Sequence, residues 1–209
     1  MILIDETHVS GWESAIRGMR NPMNSWDRSD TIFASDGSLF RGIGANDYKL
    51  MMKLADAGQV HGKYLRMINV TMDVTAPIYW WKEFDTYKVG TVTNGCSTMH
   101  TIHKKEFTLN DFSIEHLDEI SKTYFKEWVV DPLNNAREAF INEKKKDAWW
   151  FMIQTLPQSY NQIRTIQLNY AVLKNIYPYR KDHKLDEWQD FCRWIESLPY
   201  SQLITGELE

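Results

Sequence analysis

The sequence predicts an α+β fold in which a small sheet and several helices form one domain over residues 1–209. Residues 68–74 alternate strictly between apolar and polar side chains, which predicts a strand with one polar face. Other stretches, such as residues 158–176, carry apolar side chains at helical spacing. A chain of 209 residues is also long enough to bury a core of its own.

The N-terminal part is predicted to contain a strand, a long loop and two helices. Asn46 or Asp47 is expected to cap the second helix, because side chains of this type accept hydrogen bonds from unpaired N–H groups, and Gly58 ends it. The predicted elements are a strand over residues 1–7, a helix over 12–19, a turn-rich loop over 21–44, a helix from 46 to 58 and a helical turn over 61–66.

The central stretch, residues 75–100, is predicted to be an aromatic helix that leads into a polar loop. Thr75 is expected to cap this helix, with Pro77 in its first turn, where the missing N–H of proline costs nothing. Apolar residues continue to Phe84, and the following residues are rich in Gly, Thr, Ser and Asn. The stretch is therefore interpreted either as the floor and wall of a site for a flat heterocycle or as an ordinary core helix with an ordinary loop.

The C-terminal half is predicted to be helical. Two helices, over residues 113–128 and 131–144, are charged on one face and are expected to lie outside the core. A third helix is predicted over 158–176 and is expected to end at Tyr177-Pro178-Tyr179, with a last helix over 185–198 and a loosely held tail from Pro199.

Composition and charge exclude several classes of function. The formal net charge of −4 gives no basic face for nucleic acid, and no apolar run approaches the roughly 20 residues that span a bilayer. The two cysteines form neither a disulfide framework nor a zinc motif, and the histidines include no HxxxH or HExxH pair, so no metal site is expected. The minor alternative is a metal site at His100 and His103, which are three residues apart near the end of the loop. Residues 1–10 turn acidic after four positions and do not read as a signal peptide, so a cytoplasmic location is expected.

The stretch that follows the central strand resembles the signature of the flavin-dependent thymidylate synthases, which is Arg-His-Arg, seven residues, then Ser. Thr86-Tyr87-Lys88 stands at the Arg-His-Arg position, Thr91 at a first Ser and Ser97 at a second, with eight residues instead of seven between Lys88 and Ser97. Further stretches match in order along most of the chain: Ser14 to Arg20, Ala57 to His61, Leu156-Pro157, and Asn169 followed eleven residues later by Arg180.

The resemblance implies the fold of that family, a homotetramer and a set of ligands. The implied ligands are FAD as cofactor, a pyrimidine deoxynucleotide such as dUMP as substrate, and NADPH and methylene-tetrahydrofolate as cosubstrates. The matching positions for FAD are His61, Thr86, Tyr87, Lys88 and Asn169; those for the nucleotide are Glu83, Ser97 and Arg180, with Ser97 also as the catalytic position.

This chain departs from the family at positions that carry charge. Thr86, Lys88, Met99 and Ile153 stand where the family has arginines, and only Lys88 keeps the positive charge. Each lost charge-assisted bond to a phosphate typically costs about 1.5–3 kcal/mol. Glu83 also replaces a Gln and brings a negative charge near the expected pyrimidine.

Three functions follow from these observations. The first is an enzyme that transfers a one-carbon unit to a dUMP-like or modified nucleotide. The second is a protein that keeps the fold and binds a nucleotide or flavin without turning it over. The third is an interaction module with an unused pocket, although Asp73, Glu83, Asp85 and Lys88 among aromatic residues favour a ligand unless Asp85 and Lys88 simply pair with each other.

Overall fold

A computed structural model describes residues 1–206 and contains one four-stranded sheet. The strands lie in the order β1-β2-β4-β3. Tyr170 N–H donates to Ile68 O (3.1 Å) and Ile78 N–H donates to Tyr160 O (3.0 Å), so β2 and β4 run antiparallel. The strands are β1 Leu3–Ser10, β2 Asn69–Pro77, β3 Val92–Gly95 and β4 Asn161–Asn169.

Helices supply most of the remaining structure, and the predicted α+β class is confirmed. A 3-10 segment, Gly62–Met67, and a π-helical turn, Lys126–Val130, complete the regular elements used below. Within the described residues, no helix combines the length and the apolar character needed to cross a bilayer. The helices are α1 Trp12–Arg20, α2 Ala45–Asp56, α3 Ile78–Phe84, α4 Thr98–Thr101, α5 Glu119–Phe125, α6 Asp131–Glu143, α7 Lys146–Thr155, α8 Tyr170–Arg180, α9 Asp186–Glu196 and α10 Gln202–Thr205.

The chain divides into two compact units. Unit A comprises Met1–Leu3, Val74–Asp85 and Asn94–Arg164; unit B comprises Ile4–Asp73, Thr86–Thr93 and the chain from Thr165. The assignment of residues 1–209 to a single domain stays a prediction.

The central strand has the predicted alternation but is longer than predicted. Val70, Met72, Val74 and Ala76 are buried, while the residues between them are half-buried. Thr75 continues this pattern and Pro77, which is buried, ends β2, so the predictions that Thr75 caps a helix and that Pro77 lies in its first turn are wrong. The helix α3 begins at Ile78 and has no side-chain cap.

The predicted helix over 158–176 is a strand in its first half. Its apolar residues fit both periods, because Ile166 and Tyr170 are four residues apart while Ile166, Leu168 and Tyr170 also alternate. In β4 the buried residues are Ile166 and Leu168, and the helix begins only after Asn169. The helix α8 then continues through Tyr177-Pro178-Tyr179, where it was expected to end, to Arg180, four residues beyond Ile176.

Unit A has a hydrophobic core to which the C-terminal helices contribute. Leu133 in α6 is 1% exposed, so the expectation that the helix over 131–144 lies outside the core is wrong; Val130 in the π-helical turn and Met152 in α7 are at most 3% exposed as well. The helix expected over 113–128 begins only at Glu119, and α5 has no buried residue. The helix α7 was not predicted. It follows Lys144, whose left-handed backbone (φ 56°) ends α6 and reverses the chain.

In unit B, a buried ion pair fixes the loop over residues 21–44. Arg20 Nε donates to Asp47 Oδ1 (2.6 Å), and the two side chains are 4% and 0% exposed. The other oxygen of Asp47 accepts from the Ser29 hydroxyl (2.7 Å) and the Thr31 hydroxyl (2.6 Å). The predicted cap of α2 by Asn46 or Asp47 is therefore wrong: the carboxylate of Asp30 accepts from both of their N–H groups.

The C-terminal segment is tied to the same loop. Ile43 N–H donates to Tyr200 Oη (2.7 Å), and the Tyr200 ring packs against Trp12 with centroids 5.4 Å apart. Leu203 in α10 is fully buried. The expectation of a loosely held tail from Pro199 is thus wrong as far as Gly206.

Candidate functional site

A cleft of about 820 Å³ lies in unit B along one side of α8. This volume is within the range of ligand pockets in proteins. The lining residues Ala171, Lys174, Asn175 and Pro178 follow helical spacing, so they form one face of the helix. Asn169, Val172 and Tyr179 add to this side, and the other lining residues come from the C-terminal end of α2 and the turn after it, from the 3-10 segment Gly62–Met67 and from the loop over residues 86–90.

The N-terminal end of α8 faces the cleft. Asn169 follows β4 in an extended conformation, and its Oδ1 accepts from Val172 N–H (3.1 Å), which caps the helix. Asn169, Ala171 and Val172 all line the cleft. The positive end of the helix dipole is therefore directed at this part of the cleft.

The loop over residues 86–90 forms a wall of the cleft and is held from behind by α8 and α9. The Tyr87 hydroxyl accepts from Arg180 Nε (2.8 Å), and the Arg180 guanidinium lies 4.4 Å from the centre of the Trp188 ring. Gly90 has φ +79°, and a Cβ there would lie 3.1 Å from Val172 Cγ2 and 3.3 Å from Asn169 Nδ2. Glycine thus allows this loop to approach the start of α8.

The cleft is positively charged. Among the described residues, three cations line it, Arg66, Lys88 and Lys174, and no Asp or Glu does. Lys174 Nζ donates to the neutral carbonyl of Leu203 (3.3 Å), so no carboxylate within residues 1–206 compensates its charge. Asp85, the alternative partner considered for Lys88, instead pairs with Arg164 (2.8 Å) within unit A. The arrangement favours an anionic ligand with apolar parts, since Leu65, Val89 and Val172 also line the cleft.

The structure brings together four of the five residues predicted for the cofactor. Thr86, Tyr87, Lys88 and Asn169 line the cleft. His61 does not line the cleft, and its side chain is exposed. In the sequence it lies between Gln59 and Gly62, which both line the cleft. His61 stands at the N-cap position of the 3-10 segment, and its side chain makes no capping hydrogen bond there.

The residues predicted for the nucleotide are not in the lining of this cleft. Arg180 is the last residue of α8 and is directed at Tyr87 and Trp188, so it positions the loop over residues 86–90. Glu83 is half-buried on α3 and Ser97 is exposed at the start of α4, both in unit A. Met99, which stands at a position where the family has an arginine, is 45% exposed.

Several residues of the cleft were not predicted as site residues. Arg66 and Lys174 lie on two different elements, far apart in sequence, and no local pattern connects them. Tyr179 was missed because a helix was expected to end before it, yet α8 continues and places Tyr179 at the cleft. Within residues 1–206, no cluster of three or more His, Cys, Asp or Glu side chains is arranged to hold a metal ion.

The fold is shared with enzymes that act on pyrimidine nucleotides. The flavin-dependent thymidylate synthase ThyX of Helicobacter pylori, in a crystal structure complexed with FAD and dUMP, superposes with a TM-score of 0.71 over 99% of both chains at 18% identity. A second crystal structure of that protein with FAD and dUMP gives a TM-score of 0.69 at 17% identity, over 97% of this chain and 96% of that one. The UMP/dUMP methylase PolB of Streptomyces cacaoi, bound with 5-Br dUMP, gives 0.63 at 12% identity, over 99% of this chain and 95% of that one.

Sequence comparison adds no match to these. No family model matches the chain, and no curated protein matches it. At identities of 18% and below, the superpositions show that the chain has the ThyX-like fold.

Proposed function

We propose that the cleft in unit B binds the flavin nucleotide FAD and that the chain is a divergent enzyme of the flavin-dependent thymidylate synthase type. It would transfer a one-carbon unit to a pyrimidine deoxynucleotide, dUMP or a modified form, with methylene-tetrahydrofolate and NADPH as cosubstrates. The bound flavin would supply the redox chemistry. The protein would act as a homotetramer in the cytoplasm.

The observation that carries this proposal is the composition of the cleft lining. Four positions of the resemblance, Thr86, Tyr87, Lys88 and Asn169, converge on one cleft although Asn169 lies 81 residues after Lys88. The described lining has apolar walls and three cations and no acidic residue, which suits an aromatic ring system joined to phosphates.

The residues of this chain would have distinct roles toward the flavin and the nucleotide. Asn169 has its oxygen engaged in the helix cap and would offer its amide nitrogen to the ligand. Tyr87, held by Arg180, would form a fixed aromatic wall. His61, Glu83 and Ser97 are assigned from the resemblance alone, with Ser97 as the catalytic position.

The visible absorption spectrum of the purified protein, before and after addition of FAD, tests the proposal. Flavin bound in the cleft is expected to give absorption in the blue that stays with the protein through gel filtration. Addition of dUMP to reduced, flavin-loaded protein with methylene-tetrahydrofolate should then give dTMP. A protein that retains no flavin at saturating FAD would contradict the proposal.

A second candidate function is a catalytically inactive protein that binds a nucleotide or flavin on the same fold. The replaced arginines favour it, since neither Thr86 nor Met99 can form the bidentate bond to phosphate that arginine forms. Retention of FAD without oxidation of the reduced flavin by any pyrimidine nucleotide and folate would distinguish this candidate from the enzyme.

A further inference from the structure

The positive charge of the cleft comes largely from residues outside the stretch that resembles the family signature. Only Lys88 belongs to that stretch, whereas Arg66 lies on the 3-10 segment Gly62–Met67 and Lys174 on α8. We infer that Arg66, Lys88 and Lys174 form an anion subsite that binds the diphosphate of a dinucleotide. This inference deepens the proposed function and rests on it for the flavin part of the ligand.

The charge balance of the cleft supports a doubly charged anion. Arg66, Lys88 and Lys174 line the cleft, and none of the other described lining residues carries a carboxylate. Within the described residues, neither Arg66 nor Lys88 has an ion-pair or hydrogen-bond partner, and the Lys174 ammonium has only the neutral Leu203 carbonyl. A cluster of like charges with no counter-charge is stabilised when an anion binds between them.

The type of cation on each element indicates how the anion would be held. Arg66 is the only arginine in the lining, and its planar fork can donate two parallel hydrogen bonds to one phosphate group. Lys88 and Lys174 would act as point charges on the remaining oxygens. Arg66 thus restores from a different element the bidentate donor that is absent at Thr86.

Two phosphate groups suit three cations on separate elements better than one, because a diphosphate presents oxygens on two phosphorus atoms, whereas the phosphate monoester of FMN carries a similar charge of about −1.5 to −2 on a single phosphorus. A diphosphate diester carries two negative charges near neutral pH, which the three cations balance with one positive charge left over. A ligand without phosphate would leave all three charges uncompensated. We therefore expect affinity to rise in the order riboflavin, FMN, FAD, because each phosphate adds charge-assisted bonds to the subsite.

The test compares Arg66→Glu with Lys63→Glu. Both positions lie on the same 3-10 segment and both side chains are exposed, but only Arg66 lines the cleft. The dissociation constants of FAD, FMN and riboflavin are measured by quenching of flavin fluorescence, and that of inorganic pyrophosphate by calorimetry. Arg66→Glu is expected to raise the dissociation constants of FAD and pyrophosphate by about 10- to 100-fold and to have little effect on that of riboflavin. For Lys63→Glu, each dissociation constant should stay within about twofold of the wild-type value.

The outcomes separate the subsite from the proposed function. FAD binding that is equal in wild type and Arg66→Glu would overturn the subsite and leave the proposed function standing. Binding of pyrophosphate that depends on Arg66, without binding of any flavin, would support the subsite and overturn the proposed function. A wild type that binds neither FAD nor pyrophosphate would overturn both. Lys174→Gln provides a second variant. It is expected to weaken the binding of FAD and to leave the affinity for riboflavin unchanged.

Discussion

At the scale of single residues, Asp47 combines full burial with a large number of hydrogen bonds. It is 0% exposed and accepts from Arg20, Ser29 and Thr31 through its two carboxylate oxygens. Removing one partner of a buried pair leaves the other charge uncompensated, which typically costs about 3–5 kcal/mol. Asp47→Asn is therefore expected to lower the free energy of unfolding by roughly that amount in urea titrations. Asp36→Asn, which removes an exposed carboxylate that accepts only from Ser38, should have a much smaller effect.

The same residue predicts a dependence of stability on pH. Burial alone would raise the pKa of the Asp47 carboxyl, but hydrogen bonds from Thr31 and Ser29 and the charge of Arg20 outweigh burial and hold the pKa below its ordinary value. Since the folded-state pKa is depressed, the stabilisation is present above the unfolded pKa, about 3.9, and is lost as the pH falls through the folded value. The stability difference between wild type and Asp47→Asn should therefore be constant near neutral pH and shrink below about pH 4. A difference that stays constant down to pH 2 would contradict this assignment.

The hydroxyl of Tyr87 links the wall of the cleft to α8. It accepts from Arg180 Nε at 2.8 Å, so Tyr87→Phe removes the acceptor while keeping the ring. We expect faster amide hydrogen exchange in residues 86–90, because a hydrogen bond of this kind contributes about 0.5–1.5 kcal/mol to local stability. Tyr179→Phe is the control, since Tyr179 also lines the cleft and its hydroxyl makes no hydrogen bond within residues 1–206. Equal exchange in both variants would show that Arg180 does not hold the loop.

At the scale of elements, the approach of the loop over residues 86–90 to α8 depends on Gly90. Gly90→Ala combines a left-handed backbone with a contact of 3.1 Å to Val172 Cγ2, whereas Gly206→Ala has a comparable φ of +74° and nothing within 4 Å. Gly206→Ala is expected to cost about 1–2 kcal/mol, from the backbone alone. Gly90→Ala should lower the free energy of unfolding by about 1 kcal/mol or more beyond that, because the added methyl group overpacks the contact with Val172. It should also weaken the binding of FAD. If the two variants lose equal stability in thermal unfolding, the loop over residues 86–90 can move away from α8 without a cost in free energy.

Strand β2 was predictable because its alternation runs from Asn69 to Ala76, while β4 was not. In β4 the residues Ile166, Leu168 and Tyr170 alternate, but Ile166, Tyr170 and Leu173 also fit a helix, so local period alone does not decide between strand and helix. Pairing with β2 makes this segment a strand, because Tyr170 N–H and Tyr160 O form hydrogen bonds with the residues that flank the two ends of β2. This information is not local in sequence.

The candidate site could be predicted only in part for the same reason. The loop residues Thr86, Tyr87 and Lys88 were found through a signature that is contiguous in sequence, and they line the cleft. Arg66 and Lys174 reach the cleft through the packing of two separate elements, and neither is marked by a motif. A surface cation gives the same sequence signal whether or not a cleft lies beside it.

At the scale of the whole molecule, the proposed assembly can be tested by mass. Val89 and Tyr179 line the cleft but are 91% and 74% exposed, and an apolar rim of this kind favours coverage by a second copy. Light scattering after gel filtration is expected to give about four times the chain mass of 24.7 kDa in the presence of FAD. Val89→Asp should lower the mass, whereas Met23→Asp, 83% exposed and outside the cleft, should not. A wild type that elutes as a monomer with FAD bound would contradict the tetramer.

The bond between Ile43 and Tyr200 joins positions that are 157 residues apart, which sets an order of events during synthesis. A ribosome that adds about 5–20 residues per second needs roughly 8–30 s to pass from one position to the other. For that interval the nascent segment over residues 21–44 lacks the Tyr200 hydroxyl, and Trp12 lacks the ring that packs against it at 5.4 Å. The N-terminal loop therefore reaches its final structure only after the C-terminal segment has left the ribosome, and until then it is exposed to proteases and chaperones.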